Sequence, residues 1–345
     1  MKYYVGMDLH SNNTYVVIID EAGEIVFRKK LPNDLPVILS AMENYKEDIL
    51  HVVFESTYNW YWLGDGLLEA GYDARMANPA AITQYSGLKY TDDFSDAYHL
   101  AELKKLELLK EGYIYPKDER SVRDLLRKRM FLVQKRTTLY LNFEGHYSRI
   151  TGNMINVNQT RKLKLVDLKK IFTSDFDLLN AKITIEAIMF FNKLIKEIEK
   201  KVFSVMKLKP EFQRLLTIPG IGNTLGFTIA LETGDIKRFE KVGDYSSYAR
   251  CAPSIRMSND KKKGKNNRKN GNKYLAWAFV EAAHQIRRYC PYANNYYQRK
   301  LSKCKNVVAI KATGNKISKV VFHMLNDQTD YDPERAFGPM KKRSQ

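Results

Sequence analysis

Cysteine is scarce: the 345-residue chain has three, Cys251, Cys290 and Cys304, and no two of them stand in a CxxC spacing. An odd count without paired spacing argues against a disulfide framework and against a structural zinc site, and suits a reducing cytosol. Long apolar runs are missing as well. No stretch approaches the roughly 18 apolar residues of a membrane-crossing helix, and the opening MKYYVGMDLH reaches an aspartate before any signal-like apolar region forms. The expectation is a cytoplasmic protein, neither secreted nor membrane-spanning. Internal repeats and long low-complexity segments are absent too.

Acidic residues are also in short supply, but only over part of the chain. Residues 1–97 hold 7 Lys+Arg against 15 Asp+Glu, whereas the other 248 hold 50 against 24. The net charge is +18, with a pI near 9.5. Such a balance implies a polyanionic partner, most often nucleic acid, and therefore association with the nucleoid. At 345 residues and 44% hydrophobic, the chain suffices for two or three domains with real cores.

Residues 3–9, 14–19 and 24–29 are rich in β-branched and aromatic residues and are separated by Ser11-Asn12-Asn13 and Glu21-Ala22-Gly23, which predicts three short strands. Leu35–Tyr45 has helical spacing; 51–55 reads as a buried strand, 61–70 as a helix, 72–77 as a strand and 79–86 as a short helix. Three meander strands followed by alternating strands and helices predict a mixed sheet with helices on its faces, the order of ribonuclease H-like folds. Helical patterns follow from Ser95 to Gly112, from Glu119 to Ile150, and from Ile183 to Leu208, the last with a 3.5-like repeat (Ile185, Ile188, Leu194, Ile198, Val202) that could pair as a coiled coil, with helix-on-helix packing within the chain as the plainer reading. Between them, 151–178 is less regular, and 328–345 reads as a frayed basic tail. The expected domains are 1–97 (α/β), 98–209 (helical connector), 210–327 (mainly helical) and the tail, 328–345.

Within the acidic part, Asp8 lies on the first expected strand and Glu55 ends the fourth, while Asp93 and Asp96 stand three apart at a helix start and share a face. Two-metal phosphoryl transfer needs carboxylates that bridge ions roughly 3.5–4 Å apart, and Mg²⁺ or Mn²⁺ takes such oxygen ligands. Each residue also has a plainer reading: Asp8 could close a strand, Glu55-Ser56-Thr57 could cap the next helix, and Asp92 and Asp93 could be helix-terminal charges. Glu55 is the most telling, because a carboxylate ending the apolar run Val52-Val53-Phe54 must be paired or metal-bound.

In the basic part, Ile218-Pro219-Gly220-Ile221-Gly222 between two apolar helical stretches has the pattern of a helix-hairpin-helix turn. There Gly220 and Gly222 would let backbone N–H groups hold a phosphate without reading sequence. Arg256–Lys273 holds eight basic residues and one acid, with Asn and Gly between them, and reads as a loop over a phosphate backbone contacted by Arg256, Lys261, Lys262, Lys263, Lys265, Arg268 and Lys269. Ser258 within it is a turn serine on composition alone; flanked by Arg256 and Lys261, its hydroxyl could also attack a phosphodiester.

Taken together, these segments resemble the transposases of the insertion sequence 110 family. The resemblance runs through VGMDLH, VVFEST and TDDFSDAYHLAEL, then through LLTIPGIGNTLGFTIALETGDIKRF and YARCAPSIRMSNDKKKGKNNRKNGNKYLAWAFVEAA. It implies a RuvC-like domain of DEDD type, a coiled-coil connector and a serine-containing C-terminal domain. Asp8, Glu55, Asp93 and Asp96 would then bind Mg²⁺ (or Mn²⁺) and Ser258 would be the nucleophile. The partners would be double-stranded donor and target DNA, a structured guide RNA and further copies of the chain, as a dimer or tetramer. Two departures leave alternatives open. Asn259 follows Ser258 where the family usually has glycine, which keeps Ser254 as a second candidate, and the extra residue in Thr91-Asp92-Asp93 keeps Asp92 against Asp93. The implied function is a recombinase that cuts and rejoins DNA. A site-specific invertase of the pilin-inversion type, a Holliday-junction nuclease and a catalytically silent nucleic-acid-binding protein are the alternatives.

Overall fold

A computed structural model describes residues 1–78, 92–253, 256–258, 261–264 and 270–339; the expected helix at 79–86 lies outside them. The chain divides into two compact units, Met1–Lys117 and Asp118–Gln345.

The first unit is built on a five-stranded sheet of order β3-β2-β1-β4-β5, with strands Tyr3–Leu9 (β1), Asn13–Ile19 (β2), Ile25–Pro32 (β3), Ile49–Glu55 (β4) and Ala74–Ala77 (β5). The first three pair antiparallel through tight turns, whereas β4 runs parallel to β1 and β5 parallel to β4. Side-chain alternation divides the strands between two faces. Val5, Met7, Leu9, Val52 and Phe54 point into one core with Ile38 and Met42 of α1 (Leu35–Met42) and Leu63 and Leu67 of α2 (Tyr61–Glu69). The opposite face carries Val17, Ile19 and Val53 and is covered by α3 (Asp93–Lys105) through Ala97, Leu100, Ala101 and Leu103. Helix α3 ends at Lys105, short of Gly112: past Glu107, in a left-handed conformation at φ 56°, the chain continues as a strap that bonds β5 through Gly112 N–H to the Met76 carbonyl.

The second unit is helical: α4 (Lys117–Thr151), α5 (Val157–Thr160), α6 (Leu165–Ile171), α7 (Asp175–Met206), α8 (Pro210–Leu216), α9 (Asn223–Thr233), α10 (Val242–Tyr248), α11 (Lys273–Tyr289), α12 (Pro291–Leu301), α13 (Asn306–Asn326) and α14 (Pro333–Phe337). Between α10 and α11 lies a two-stranded hairpin, β6 (Arg256–Ser258) and β7 (Lys261–Gly264). Helix α7 starts earlier than its repeat suggests. It packs beside α4 within the chain: Tyr140 and Phe143 meet Ala181, Ile185 and Ile188 toward one end, and Leu126 meets Val202 and Met206 toward the other. Several repeat positions are thereby consumed in an intramolecular pair. The irregular stretch 151–178 holds two short helices, the first with a capping box between Asn156 and Gln159. The segment expected to fray instead contains α14, N-capped by Asp332, whose Ala336 and Phe337 are buried.

Candidate functional site

Met7 and Phe54 are register partners on parallel β1 and β4, so Asp8 and Glu55, the next residues, stand side by side on the face opposite that core. This is the face that α3 covers, and both carboxylates lie toward the C-terminal ends of their strands, where open α/β sheets place ligands. Gly6 makes the approach possible. A Cβ there would lie 1.8 Å from the Ala97 carbonyl oxygen and 2.9 Å from the Ala101 nitrogen, so only glycine lets the helix come down on β1.

The first turn of α3 delivers two more carboxylates, Asp93 and Asp96. Asp92 is used differently. It is the N-cap, accepting hydrogen bonds from the Ser95 amide (2.7 Å) and hydroxyl (2.6 Å), which hold its carboxyl below the usual range. The capping reading of Glu55-Ser56-Thr57 finds no support, since α2 begins beyond them with Trp60 at its N-cap and no side-chain cap bond.

Asp8 is only 8% exposed. Burial raises its carboxyl above the ordinary 3.8; His10 pulls the other way, and the charge of Asp93 adds to the rise. Asp96 is raised as well, by burial first and then by Asp8. Burial of two carboxylates, with like charge close by, penalises their ionised forms, a cost that a counter-charge among them would relieve.

His10 was not among the residues expected from sequence. Its Nε2 lies 2.7 Å from Asp8 Oδ2 and 3.5 Å from Asp93 Oδ1. The three residues offer ligand atoms all within 4.8 Å of one another. The hydrogen bond to Asp8 raises the imidazole pKa, with burial opposing it. The signal was available in Asp8-Leu9-His10, since residues two apart at a strand end fall on one side. The carboxylate oxygens form a donor set that fits a divalent ion such as Mg²⁺ or Mn²⁺.

In the second unit the two hairpin glycines serve different ends. Gly220 has φ 89°, and a Cβ on it would lie 2.8 Å from Gln285 Cβ on α11, so it is required for the turn and the close packing. Gly222 is the N-cap of α9 with open space around it, beside a cavity of about 350 Å³ lined by Glu199, Phe203, Asn223, Thr224, Leu225 and Phe227. The basic segment is tied at its base: Asn272 N–H donates to the Tyr248 carbonyl (2.5 Å), and Arg250 Nε to the Gly271 carbonyl (2.9 Å). Asn272 also caps α11 and donates to the buried Glu232 (2.7 Å). Within the segment Ser258 pairs with Lys261 across the β6–β7 hairpin; Lys261 and Lys263 are exposed, and β6 also holds Arg256, while β7 holds Lys262. Ser254, Lys265, Arg268 and Lys269 lie outside the described residues.

A DEDD transposase model of IS110 type matches residues 5–150, and a second, described as "Transposase IS116/IS110/IS902 family", matches 212–298. The chain belongs to the IS110 family of transposases. Among curated members, a "Probable family 20 transposase" of Pseudomonas aeruginosa is 22% identical over 95% of this chain and 98% of its own length. The "Transposase for insertion sequence element IS1111A" of Coxiella burnetii is 22% identical over 95% and 90%. A "Mini-circle putative transposase for IS117" of Streptomyces coelicolor is 31% identical over 42% of this chain and 35% of its own. The first family match spans Asp8, Glu55, Asp93 and Asp96; the second spans the glycine turn and the basic segment. Among the described residues no helix is long and apolar enough to cross a membrane.

Proposed function

We propose that this transposase cuts and rejoins DNA with two sets of groups: a divalent-metal centre on Asp8, Glu55, Asp93 and Asp96, and Ser258 as covalent nucleophile. The observation that carries the reading is the placement of α3, which brings Asp93 and Asp96 over the face that bears Asp8 and Glu55. The strand order β3-β2-β1-β4-β5, antiparallel and then parallel, supports a RuvC-like (ribonuclease H-like) domain that runs past the expected 97 to include all of α3. A helical connector to about 209 and a C-terminal transposase domain from 210 that takes in α14 would follow.

Bound Mg²⁺ or Mn²⁺ would supply charge neutralisation and polarisation of the phosphodiester. The carboxylates would hold the ions and set their spacing. Ser258 Oγ would attack phosphorus, displace one sugar oxygen and conserve the phosphodiester as a serine ester; attack by the second DNA end would release it. Arg256 and Lys261 would stabilise the charge that develops on the phosphoryl oxygens. Gly220-Ile221-Gly222, with Lys262, Lys263, Lys265, Arg268 and Lys269, would hold backbone phosphates through amides and charge. A structured guide RNA selecting donor and target, and assembly as a dimer or tetramer, complete the proposal.

The test is a recombination assay in cells supplied with donor, target and the element's flanking non-coding DNA, paired with trapping of a protein–DNA adduct. Glu55→Ala should abolish recombination, and Ser258→Ala should abolish both recombination and the adduct. An adduct that survives Ser258→Ala and disappears in Ser254→Ala would move the nucleophile to Ser254. Recombination by Glu55→Ala would overturn the metal mechanism.

A further inference from the structure

The backbone of His10 is held by more than its strand. Its carbonyl oxygen accepts two side-chain amides, Asn33 Nδ2 (2.9 Å) and Asn59 Nδ2 (3.0 Å), from residues 23 and 49 positions away. Each asparagine is itself fixed: Asn33 Oδ1 accepts from Thr14 Oγ1 (2.8 Å), where Thr14 is fully buried, and Asn59 Oδ1 accepts from Thr57 Oγ1 (3.1 Å). The ring rests against Tyr15 at 5.5 Å between centroids. Two long-range amides converging on one carbonyl locate residue 10 far more tightly than a strand-end turn requires. With the backbone so anchored, the ring's own contacts put Nε2 between two acids, Asp8 and Asp93.

From this geometry we infer that His10 Nε2 is a nitrogen ligand of the metal centre, binding the ion shared by Asp8 and Asp93. Neighbouring ligand atoms around an octahedral ion with bonds of roughly 2.1 Å stand about 3 Å apart, and the Nε2 distances of 2.7 and 3.5 Å bracket that spacing. In this structure Nε2 is hydrogen-bonded to Asp8; as a metal ligand it would present its lone pair, with the ring proton on Nδ1. An imidazole among carboxylates raises affinity for Mn²⁺ relative to Mg²⁺, since affinity for nitrogen ligands rises along the first transition row while Mg²⁺ keeps to oxygen. The centre would thus discriminate between the two ions through a residue outside the four carboxylates.

This inference rests on the proposed carboxylate centre, and the experiment separates the two. Mn²⁺ is titrated into the full-length protein, and its electron spin-echo modulation is recorded with natural-abundance and ¹⁵N-histidine protein. The expected result is a nitrogen coupling that shifts with the isotope in wild type and is lost in His10→Gln. Mn²⁺ affinity should fall by roughly 10–100-fold in that variant, the range for groups that hold or orient ligands, while Mg²⁺ affinity changes less. Mn²⁺ bound with no histidine coupling in wild type would overturn the role of His10 and leave the carboxylates standing. Mn²⁺ binding undiminished by Asp8→Asn would overturn the carboxylate centre and the inference with it. If His10→Gln fails to fold, His10→Asn takes its place, and His99→Gln, which should keep the coupling, excludes the histidine nearest Asp96.

Discussion

The guanidinium of Arg127 on α4 lies fork to fork with the carboxylate of Glu232 on α9, Nε and Nη2 each 2.7 Å from a different oxygen, across 105 residues of sequence. Glu232 is 2% exposed, and its second oxygen also takes the amide of Asn272, which starts α11 directly after the basic segment. Burial alone would lower the arginine's pKa; the Glu232 carboxylate outweighs it and keeps the guanidinium firmly charged. Removing one partner strands a buried charge. Arg127→Leu should therefore destabilise the second unit by roughly 3 kcal/mol, and denaturant unfolding followed by circular dichroism reads the loss. A loss well under about 1 kcal/mol would place the pair among ordinary surface ion pairs.

Gly6→Ala tests whether the approach of α3 assembles the site. The added methyl group would meet backbone atoms of Ala97 and Ala101, which cannot rotate away. A loss of about 1–3 kcal/mol is expected from overpacking, together with weakened Mn²⁺ binding as Asp93 and Asp96 move off Asp8. Gly243→Ala, where a Cβ meets nothing within 4 Å, is the control and should leave metal binding unchanged. Undiminished Mn²⁺ affinity in a folded Gly6→Ala protein would refute this account of assembly.

The raised carboxyl of Asp8 gives a pH dependence of definite sign. A folded-state pKa above the ordinary 3.8 means that the folded protein holds this proton more tightly than the unfolded chain. The associated stability is fully present below the unfolded value and is lost as pH rises through the folded one. Without metal, the stability of wild type relative to Asp8→Asn should improve as pH falls from about 7 toward 4. Added Mg²⁺ or Mn²⁺ should reverse the order at neutral pH by stabilising wild type only. Thermal unfolding in chelator and in metal checks both signs.

Helix α4 presents a basic face whose contact with phosphates can be tested. No acid occurs from Leu125 to Phe143. Of the five cations there, Arg127, Arg129 and Arg136 are engaged by Glu232, Glu199 and Asn192, whereas exposed Lys128 and Lys135 place their ammonium groups 5.1 and 5.4 Å from the ring of exposed Phe131. Replacing both lysines with alanine should lower the salt dependence of nucleic-acid binding by about two phosphate contacts. Phe131→Ala should leave that slope unchanged. A plot of log affinity against log salt decides it, and an unaltered slope in the double variant would remove this face from the interface.

Much of the first unit was legible along the chain. Strand alternation, the turns between strands and the helical spacing of 35–45 and 61–70 are local patterns, and the observed elements follow them to within a few residues. Asp8, Glu55, Asp93 and Asp96 stood out because a charge at the end of an apolar run, or a pair of charges one helical turn apart, is visible without knowing what lies opposite. The glycine turn was legible for the same reason, but not the division between Gly220, demanded by α11, and Gly222, which opens α9.

By itself, the sequence determined most elements of the first unit, the separation of acidic from basic regions and a short roster of groups suited to metal and phosphate. Only the tertiary structure decided which of those groups meet. It seated α3 on the Asp8 face through the missing side chain of Gly6, spent Asp92 on a helix cap, and anchored the backbone of His10 beside Asp8 with two distant asparagines. The physical reason is range. Periodicity and capping act over a few residues, whereas a site of this kind is set by packing and hydrogen bonds between segments many tens of residues apart.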